Sequence, residues 1–182
     1  LDVLFCTVQG YEADDVLGTL ATRASVSGFQ TMILTSDLDL LQLVSPITEV
    51  EVFSQYWAKR SFDVEAAKRR FGGLAPENIP DYKALAGDTS DNLPGVPGIG
   101  AVAATAVLGE YGNLDKVYEN LDSISELPIR GAKRVSRLLA EHREQAFLMR
   151  TLTTIVCDVP VDVDIDGALI EESGLEAVEA MA

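Results

Sequence analysis

Two β-branched apolar runs, LDVLFCTV at 1–8 and QTMILTS at 30–36, flank a segment whose apolar residues recur at helical spacing. Val16, Leu17, Leu20, Ala21 and Ala24 fall on one helix face, and Gly28 supplies a stop. Strand, helix and strand of these lengths predict a βαβ unit with a parallel sheet, because parallel strands need a crossover of about a dozen residues or more. ITEVEVF at 47–53 alternates with period two and predicts another strand. From about residue 62 the pattern is helical: DVEAAKRRF, ENIPDYKALAG, GAVAATAVLGEYG, NLDKVYENL and one long AKRVSRLLAEHREQAFLMRTL. The expected organisation is an α/β part over 1–60, a helical part over 61–150 and an acidic segment over 151–182 that closes the domain.

At 182 residues and 47% hydrophobic content the chain can bury a core, and it holds no apolar tract long enough to cross a bilayer. No signal peptide opens it, and a first residue of Leu1 rather than Met reads as a cut through a longer chain. Cys6 and Cys157 are far apart and lack the spacing of a zinc site, so both read as free thiols of a reducing cytoplasm. A formal charge of -15 argues against a nucleic-acid partner, since phosphate binding is driven by Lys and Arg. The distribution weakens that objection. Residues 151–182 hold eight acids and no base, which leaves 21 acids and 14 bases in 1–150.

Seven of those 21 acids fall in three short runs: Glu12, Asp14 and Asp15 in GYEADD, Asp37 and Asp39 in TSDLDLLQL, and Asp88 and Asp91 in ALAGDTSDN. The first two runs follow predicted strands, and loops at the carboxyl ends of parallel strands share one rim, where ligands bind. Capping of the following helix explains one carboxylate of GYEADD, and cap plus solvated face remains an alternative for the whole run. A helix-starting loop is the alternative at SDLD, and an Asx-turn at GDTSDN. Together the runs favour a metal site, because clustered carboxylates repel one another by about 1 kcal/mol or more unless cations screen them. Hard oxygen ligands suit Mg²⁺ or Mn²⁺, and two such ions about 4 Å apart clamp the oxygens of a phosphoryl displacement.

LPGVPGIGA at 93–101 is the one dense turn cluster, set between two predicted helices. Backbone N–H groups at a helix N-terminus can hold a phosphate without a basic side chain. This would let an acidic protein grip a nucleic-acid backbone through Gly95, Val96, Gly98, Ile99 and Gly100. The order of glycines is not the dinucleotide-binding GxGxxG, and no Lys-Ser/Thr pair of a P-loop follows. A packed helix-turn-helix corner without ligand is the alternative.

GYEADD, TSDLDLLQL and ALAGDTSDNLPGVPGIG, in this order and spacing, closely resemble the 5′→3′ exonuclease domain of bacterial DNA polymerase I and the related flap endonucleases. REQAFLMRTLTTIVCDVPVD resembles that domain's closing helix and strand. The resemblance implies a PIN-like α/β nuclease core, a helix-hairpin-helix region with three turns that grips duplex DNA, and Mg²⁺-dependent cutting near 5′ ends, flaps and RNA primers. By position, Glu12 and Asp14 would serve one metal with Asp15 beside them. Asp37, Asp39 and Asp88 would serve the second, Asp14 would lie between the two, and Asp91 would bind peripherally through water. A monovalent cation such as K⁺ would sit at the turn, and a covalently linked polymerase domain is a further expectation.

Two departures accompany the resemblance. The family domain extends further on the N-terminal side, where it carries additional metal-site carboxylates and a basic arch, so the 182 residues alone are expected to be inactive or impaired. Ala101-Val102 also stands where the family commonly has Glu-Lys. The rival reading is a non-catalytic DNA-binding module whose carboxylates merely hold ions. Among single residues, Lys83 is expected on a solvated helix face, His142 exposed on a helix, and Tyr56 and Trp57 over the sheet edge. Lys133, Arg134 and Arg137 either track a duplex or form a surface salt-bridge face.

Overall fold

The computed structural model describes residues 4–54, 57–165 and 167, with the side chains of 54 and 57–59 excepted. It divides into two compact units, Leu1–Thr31 with Ile155–Ala182, and Met32–Thr154. Residues 1–3 of the first apolar run, Tyr56, the side chain of Trp57, and residues 166 and 168–182 of the acidic segment lie outside the described residues.

The first unit is built on helix α1 (Ala13–Val26). Its start is set by the Glu12 N–H, which donates to Asp15 Oδ2 at 3.2 Å, one arm of a capping box. Gly28 takes φ +83 just beyond the helix, where an L side chain would be strained, and so serves as the expected stop. Val16 of α1 packs on Val159 and Val161, with Cys6, Val8, Leu20 and Val163 around them.

The strand expected over 1–8 is absent from the described residues 4–8, which run without a ladder partner and leave Leu4 61% and Phe5 88% exposed. The closing strand expected after residue 154 is likewise absent among the described residues. Its backbone is bonded instead by α1 side chains: Thr19 Oγ1 accepts from Val159 N–H at 3.0 Å, and Arg23 donates to the carbonyls of Val161 and Val159 at 2.6 and 3.3 Å. Backbone groups satisfied by side chains in this way have no need of a sheet. Cys6 and Cys157 are both unpaired thiols.

The second unit opens with a three-stranded sheet in the order β1 (Thr31–Thr35), β2 (Thr48–Ser54), β3 (Trp57–Phe62). β2 and β3 pair antiparallel, with Val50 opposite Phe62 and Val52 opposite Arg60. β3 was not expected from sequence: WAKRSF carries Lys59 and Arg60, charges typical of a sheet edge, and so lacks clean apolar alternation. The small sheet thus adds an antiparallel pair to the α/β arrangement expected, while the first strand of the predicted βαβ unit is absent from the described residues 4–8.

Helices follow in the five segments expected, with a short additional helix after the fourth and the fifth divided in two. They are α2 (Val64–Arg70), α3 (Ile79–Ala86), α4 (Ala101–Tyr111), α5 (Leu114–Glu119), α6 (Leu121–Ile124), α7 (Ala132–Glu141) and α8 (Arg143–Thr153). Asp63 caps α2 and Asn113 caps α5, each accepting an N–H three residues on. The long helix predicted over 132–152 is two, broken at His142 (φ -116, ψ 26) with no Gly or Pro to announce it. The break lets α7 pack on α6 while α8 packs on α3. Leu85, Val96, Val107, Leu108, Leu114, Val117 and Leu139 form the centre of this helical core, and truncating any such leucine to alanine would cost about 2–5 kcal/mol. Among the described residues no helix is long and apolar enough to cross a membrane.

Candidate metal centre

β1 ends at Thr35, and the chain turns at once into a 3-10 segment, Asp39–Leu43, through two local hydrogen bonds. Asp37 N–H donates to Thr35 Oγ1, and Asp39 N–H donates to Asp37 Oδ1, both at 2.9 Å. The turn thus uses one oxygen of Asp37 to hold Asp39 in place. Asp39 is half-buried, and Leu40 and Leu41 beside it are fully buried, which anchors the loop.

α3 supplies the opposite wall. Ile79, Ala84 and Leu85 bury its inner face, and Lys83, only 5% exposed, is drawn inward with them. Its ammonium pairs with both Asp39 and Asp88 and lies 4.0 Å from Asp91 Oδ2. The expected solvated position for Lys83 is therefore wrong, because three carboxylates gathered at one point would repel one another without a cation. Oxygens of Asp39, Asp88 and Asp91 all lie within 4.8 Å of one another. Asp91, expected to bind peripherally through water, is the exposed member of this cluster.

After α3, Gly87 (φ +82) reverses the chain and Asp88 enters an Asx-turn, its Oδ1 accepting from Ser90 N–H at 2.9 Å and from the Ser90 hydroxyl. Its other oxygen faces Lys83. The Asx-turn expected as an alternative at GDTSDN is thus formed through one oxygen of Asp88 and leaves the other on Lys83. Burial raises the Asp39 pKa to about 6, because the Lys83 bonds that favour its charge are outweighed by desolvation. At the more open Asp88 the balance reverses: burial is outweighed by hydrogen bonds from Lys83 and Ser90, and its pKa falls to about 2. Desolvation works to lower Lys83, but the two carboxylate bonds together outweigh it and its pKa is raised.

Asp37, Asp39, Lys83, Asp88 and Asp91 line an open cleft of about 890 Å³. The donor set fits a hard divalent cation, with carboxylate oxygens close enough to share one ion and an ammonium already marking where positive charge is needed.

The glycine turn is fastened directly to this cluster. Asp88 and Leu93 exchange both backbone hydrogen bonds, at 2.9 and 2.7 Å, and Val96 N–H donates to Leu85 carbonyl at 3.0 Å. Five residues of the turn were expected at a phosphate backbone, and three of them face inward. Val96 and Ile99 are 1% and 5% exposed, and their amides are used within the fold, Ile99 N–H donating to Val96 carbonyl. Gly95 is buried against Gly87. Gly98 and Gly100 are the exposed members, and Gly100 caps α4 with extended backbone and no side-chain acceptor. Val96 and Ile99 are set apart by their apolar side chains, whereas nothing in GVPGIG itself distinguishes the buried Gly95 from the exposed Gly98 and Gly100.

Glu12, Asp14 and Asp15 stand at the start of α1 in the first unit. Capping there employs Glu12 and Asp15, and Asp15 Oδ1 separately accepts from Val156 N–H at 2.9 Å. Asp14 takes no part in the box.

Two family models match the chain: the N-terminal resolvase-like domain of 5′-3′ exonucleases over residues 1–72, and the C-terminal SAM fold of the same enzymes over residues 74–174. DNA polymerase I of Chloroflexus aurantiacus is 42% identical over 184 residues, covering 100% of this chain and 19% of the relative. DNA polymerase I of Pseudomonas aeruginosa is 45% identical over 180 residues, covering 98% and 19%. The chain thus spans about a fifth of the length of these relatives. Among solved structures, a bacteriophage T5 flap endonuclease in a pseudo-enzyme-product complex with DNA and metal ions shares the fold, with a TM-score of 0.63 at 24% identity over 82% of this chain and 52% of that one. With a resolvase-like match on one side of residue 73 and a SAM-fold match on the other, the chain belongs to the 5′-3′ exonuclease family.

Proposed function

We propose that the chain is part of a structure-specific 5′-3′ exonuclease or flap endonuclease that hydrolyses DNA phosphodiesters with two divalent ions, Mg²⁺ or Mn²⁺. The observation that carries this reading is the convergence of Asp39, Asp88 and Asp91 on one point beside Lys83, fastened by backbone bonds to an amide-lined turn. Asp39 and Asp88, with Asp91 and Asp37 at their side, would hold one ion. Glu12 and Asp14, with Asp15, are assigned to the other by their place in the GYEADD motif. Such ions supply Lewis acidity and a water of lowered pKa.

The chain's own contribution is positional. Asp88 fixes its ligand oxygen by giving the other to Ser90, and Asp37 fixes Asp39 in the same way. Lys83 neutralises part of the carboxylate charge and holds an ammonium where a phosphate oxygen would approach. Gly98, Gly100 and the first turn of α4 present amides to a duplex backbone, in the manner of a helix-hairpin-helix, with a monovalent cation such as K⁺ at the turn. The partners are DNA with 5′ ends or flaps, RNA primers, and a linked polymerase domain, in the cytoplasm.

The experiment is cleavage of a 5′-flap substrate in Mg²⁺ by the full-length protein and its Asp88→Asn variant. Losing an outer partner of a metal ligand costs about 10- to 100-fold, so losing the ligand itself should exceed about 100-fold. DNA binding in Ca²⁺ should persist. Cutting by Asp88→Asn at the normal rate would remove this carboxylate from the site.

A further inference from the structure

We infer that the exposed face of α7 is a second stretch of the DNA-binding surface, tracking the phosphate backbone of duplex DNA beyond the glycine turn. The inference rests on the reading of that turn as a duplex grip and extends it to Lys133, Arg134 and Arg137, for which the sequence left a duplex-tracking face and a salt-bridge face open.

Residues 127–140 contain Arg130, Lys133, Arg134 and Arg137 and no acid, in a chain whose net charge is -15. Ala132, Val135 and Leu139 are the buried residues of α7, so Lys133, Arg134 and Arg137 occupy its outer side, with Arg130 exposed just before the helix. From Lys133 to Arg137 they span about 6 Å along the axis, more than one phosphate spacing of a strand.

A solvated salt-bridge face would pair these cations with nearby acids. Among the described residues only Arg137 is so paired, with Glu141 at 3.3 Å across one exposed turn, while Arg130, Lys133 and Arg134 have no acidic partner. An acidic protein that leaves three neighbouring cations unneutralised favours a polyanion at that place.

Arg134 joins this face to the turn. A side-chain carbon built on Gly98 would lie 3.1 Å from Arg134 Nη2 and 3.1 Å from Leu138 Cδ1, so the guanidinium rests against the exposed tip of the turn. A backbone seated on the amides of Gly98 and Gly100 would meet Arg134 next and then run along Lys133 and Arg137.

The test is the salt dependence of duplex binding by the full-length protein in Ca²⁺, read by fluorescence anisotropy. The double variant Lys133→Ala/Arg134→Ala should lower the slope of log K against log salt concentration by about two, one for each cation withdrawn from a phosphate. Keeping a charge at the second position, in Lys133→Ala/Arg134→Lys, should recover half of that fall. Lys116→Ala, an exposed cation on α5, is the control for bulk charge and should leave the slope unchanged. The exposed positions allow folding to be verified by an unaltered thermal midpoint. An unchanged slope in the double variant, or an equal fall with Lys116→Ala, overturns the inference while leaving the turn's role intact. Failure of the unaltered protein to bind duplex would overturn both.

Discussion

Gly95 packs its α-carbon against the backbone of Gly87, so closely that a side-chain carbon on Gly95 would lie 2.3 Å from the Gly87 amide nitrogen and 2.7 Å from its α-carbon. Gly87 is the residue before Asp88, so this contact sets the spacing between the carboxylate cluster and the turn that follows it.

Gly95→Ala must push the two backbones apart and also strains a residue at φ +60, and the expected loss exceeds about 2 kcal/mol of stability. Gly100→Ala, in open space with extended backbone, should cost under about 1 kcal/mol. Thermal or urea denaturation of the two variants checks the contrast, and equal losses would show that the Gly87 contact is not what requires glycine.

Lys83 holds three carboxylates that would otherwise repel, and Lys83→Met leaves them uncompensated in a part-buried place. Without divalent metal the variant should lose about 3–5 kcal/mol, the usual consequence of breaking a buried ion pair. Mg²⁺ replaces the missing charge, so the variant's melting temperature should rise on adding Mg²⁺ by more than that of the unaltered protein. A melting temperature equally indifferent to Mg²⁺ in both proteins would speak against cation binding by Asp39, Asp88 and Asp91.

The convergence of Asp39, Asp88 and Asp91 was legible because their two short acidic runs stand beside apolar segments, whereas in GYEADD the capping of α1 accounts for Glu12 and Asp15. Lys83 was not, since the residues that bury it come from a 3-10 turn more than forty positions earlier and from its own helix, and a lysine between Tyr82 and Ala84 gives no local sign of burial. β1 and β2 could be read from β-branched content, whereas β3 is stabilised by pairing with β2 and carries little pattern of its own. The break at His142 is likewise a product of packing, α7 on α6 and α8 on α3, imposed on a segment whose helical periodicity continues through it.

Both oxygens of Asp15 are bonded, Oδ2 as a cap to Glu12 N–H and Oδ1 to the distant Val156 N–H. Asp15→Ala should therefore destabilise by about 1–2 kcal/mol even in the absence of divalent metal, the cost of a lost cap and an unpaired amide. Chemical denaturation in a chelator reads this directly. A variant as stable as the parent in chelator, yet defective in Mg²⁺, would assign Asp15 to the metal alone.

Asp81 is 6% exposed, and its Oδ2 accepts the backbone N–H of Leu114 at 2.9 Å, tying α3 to the first turn of α5. Asp81→Ala strands that amide and should cost about 1–3 kcal/mol, while Asp81→Asn keeps an acceptor of the same shape and should cost less. Burial raises the Asp81 pKa, with Asp115 adding to the rise and the Leu114 bond and Arg150, at 3.9 Å, acting against it. A carboxyl whose folded pKa exceeds its unfolded one binds its proton more tightly when folded, so its ionised form weakens the fold. That penalty is fully present above the folded pKa and fades as pH falls toward the ordinary carboxylate value of 3.8. The stability of the unaltered protein relative to Asp81→Asn should therefore improve on acidification from neutrality. A difference that stayed flat, or moved the other way, would mean that Arg150 and the Leu114 amide outweigh desolvation at this residue.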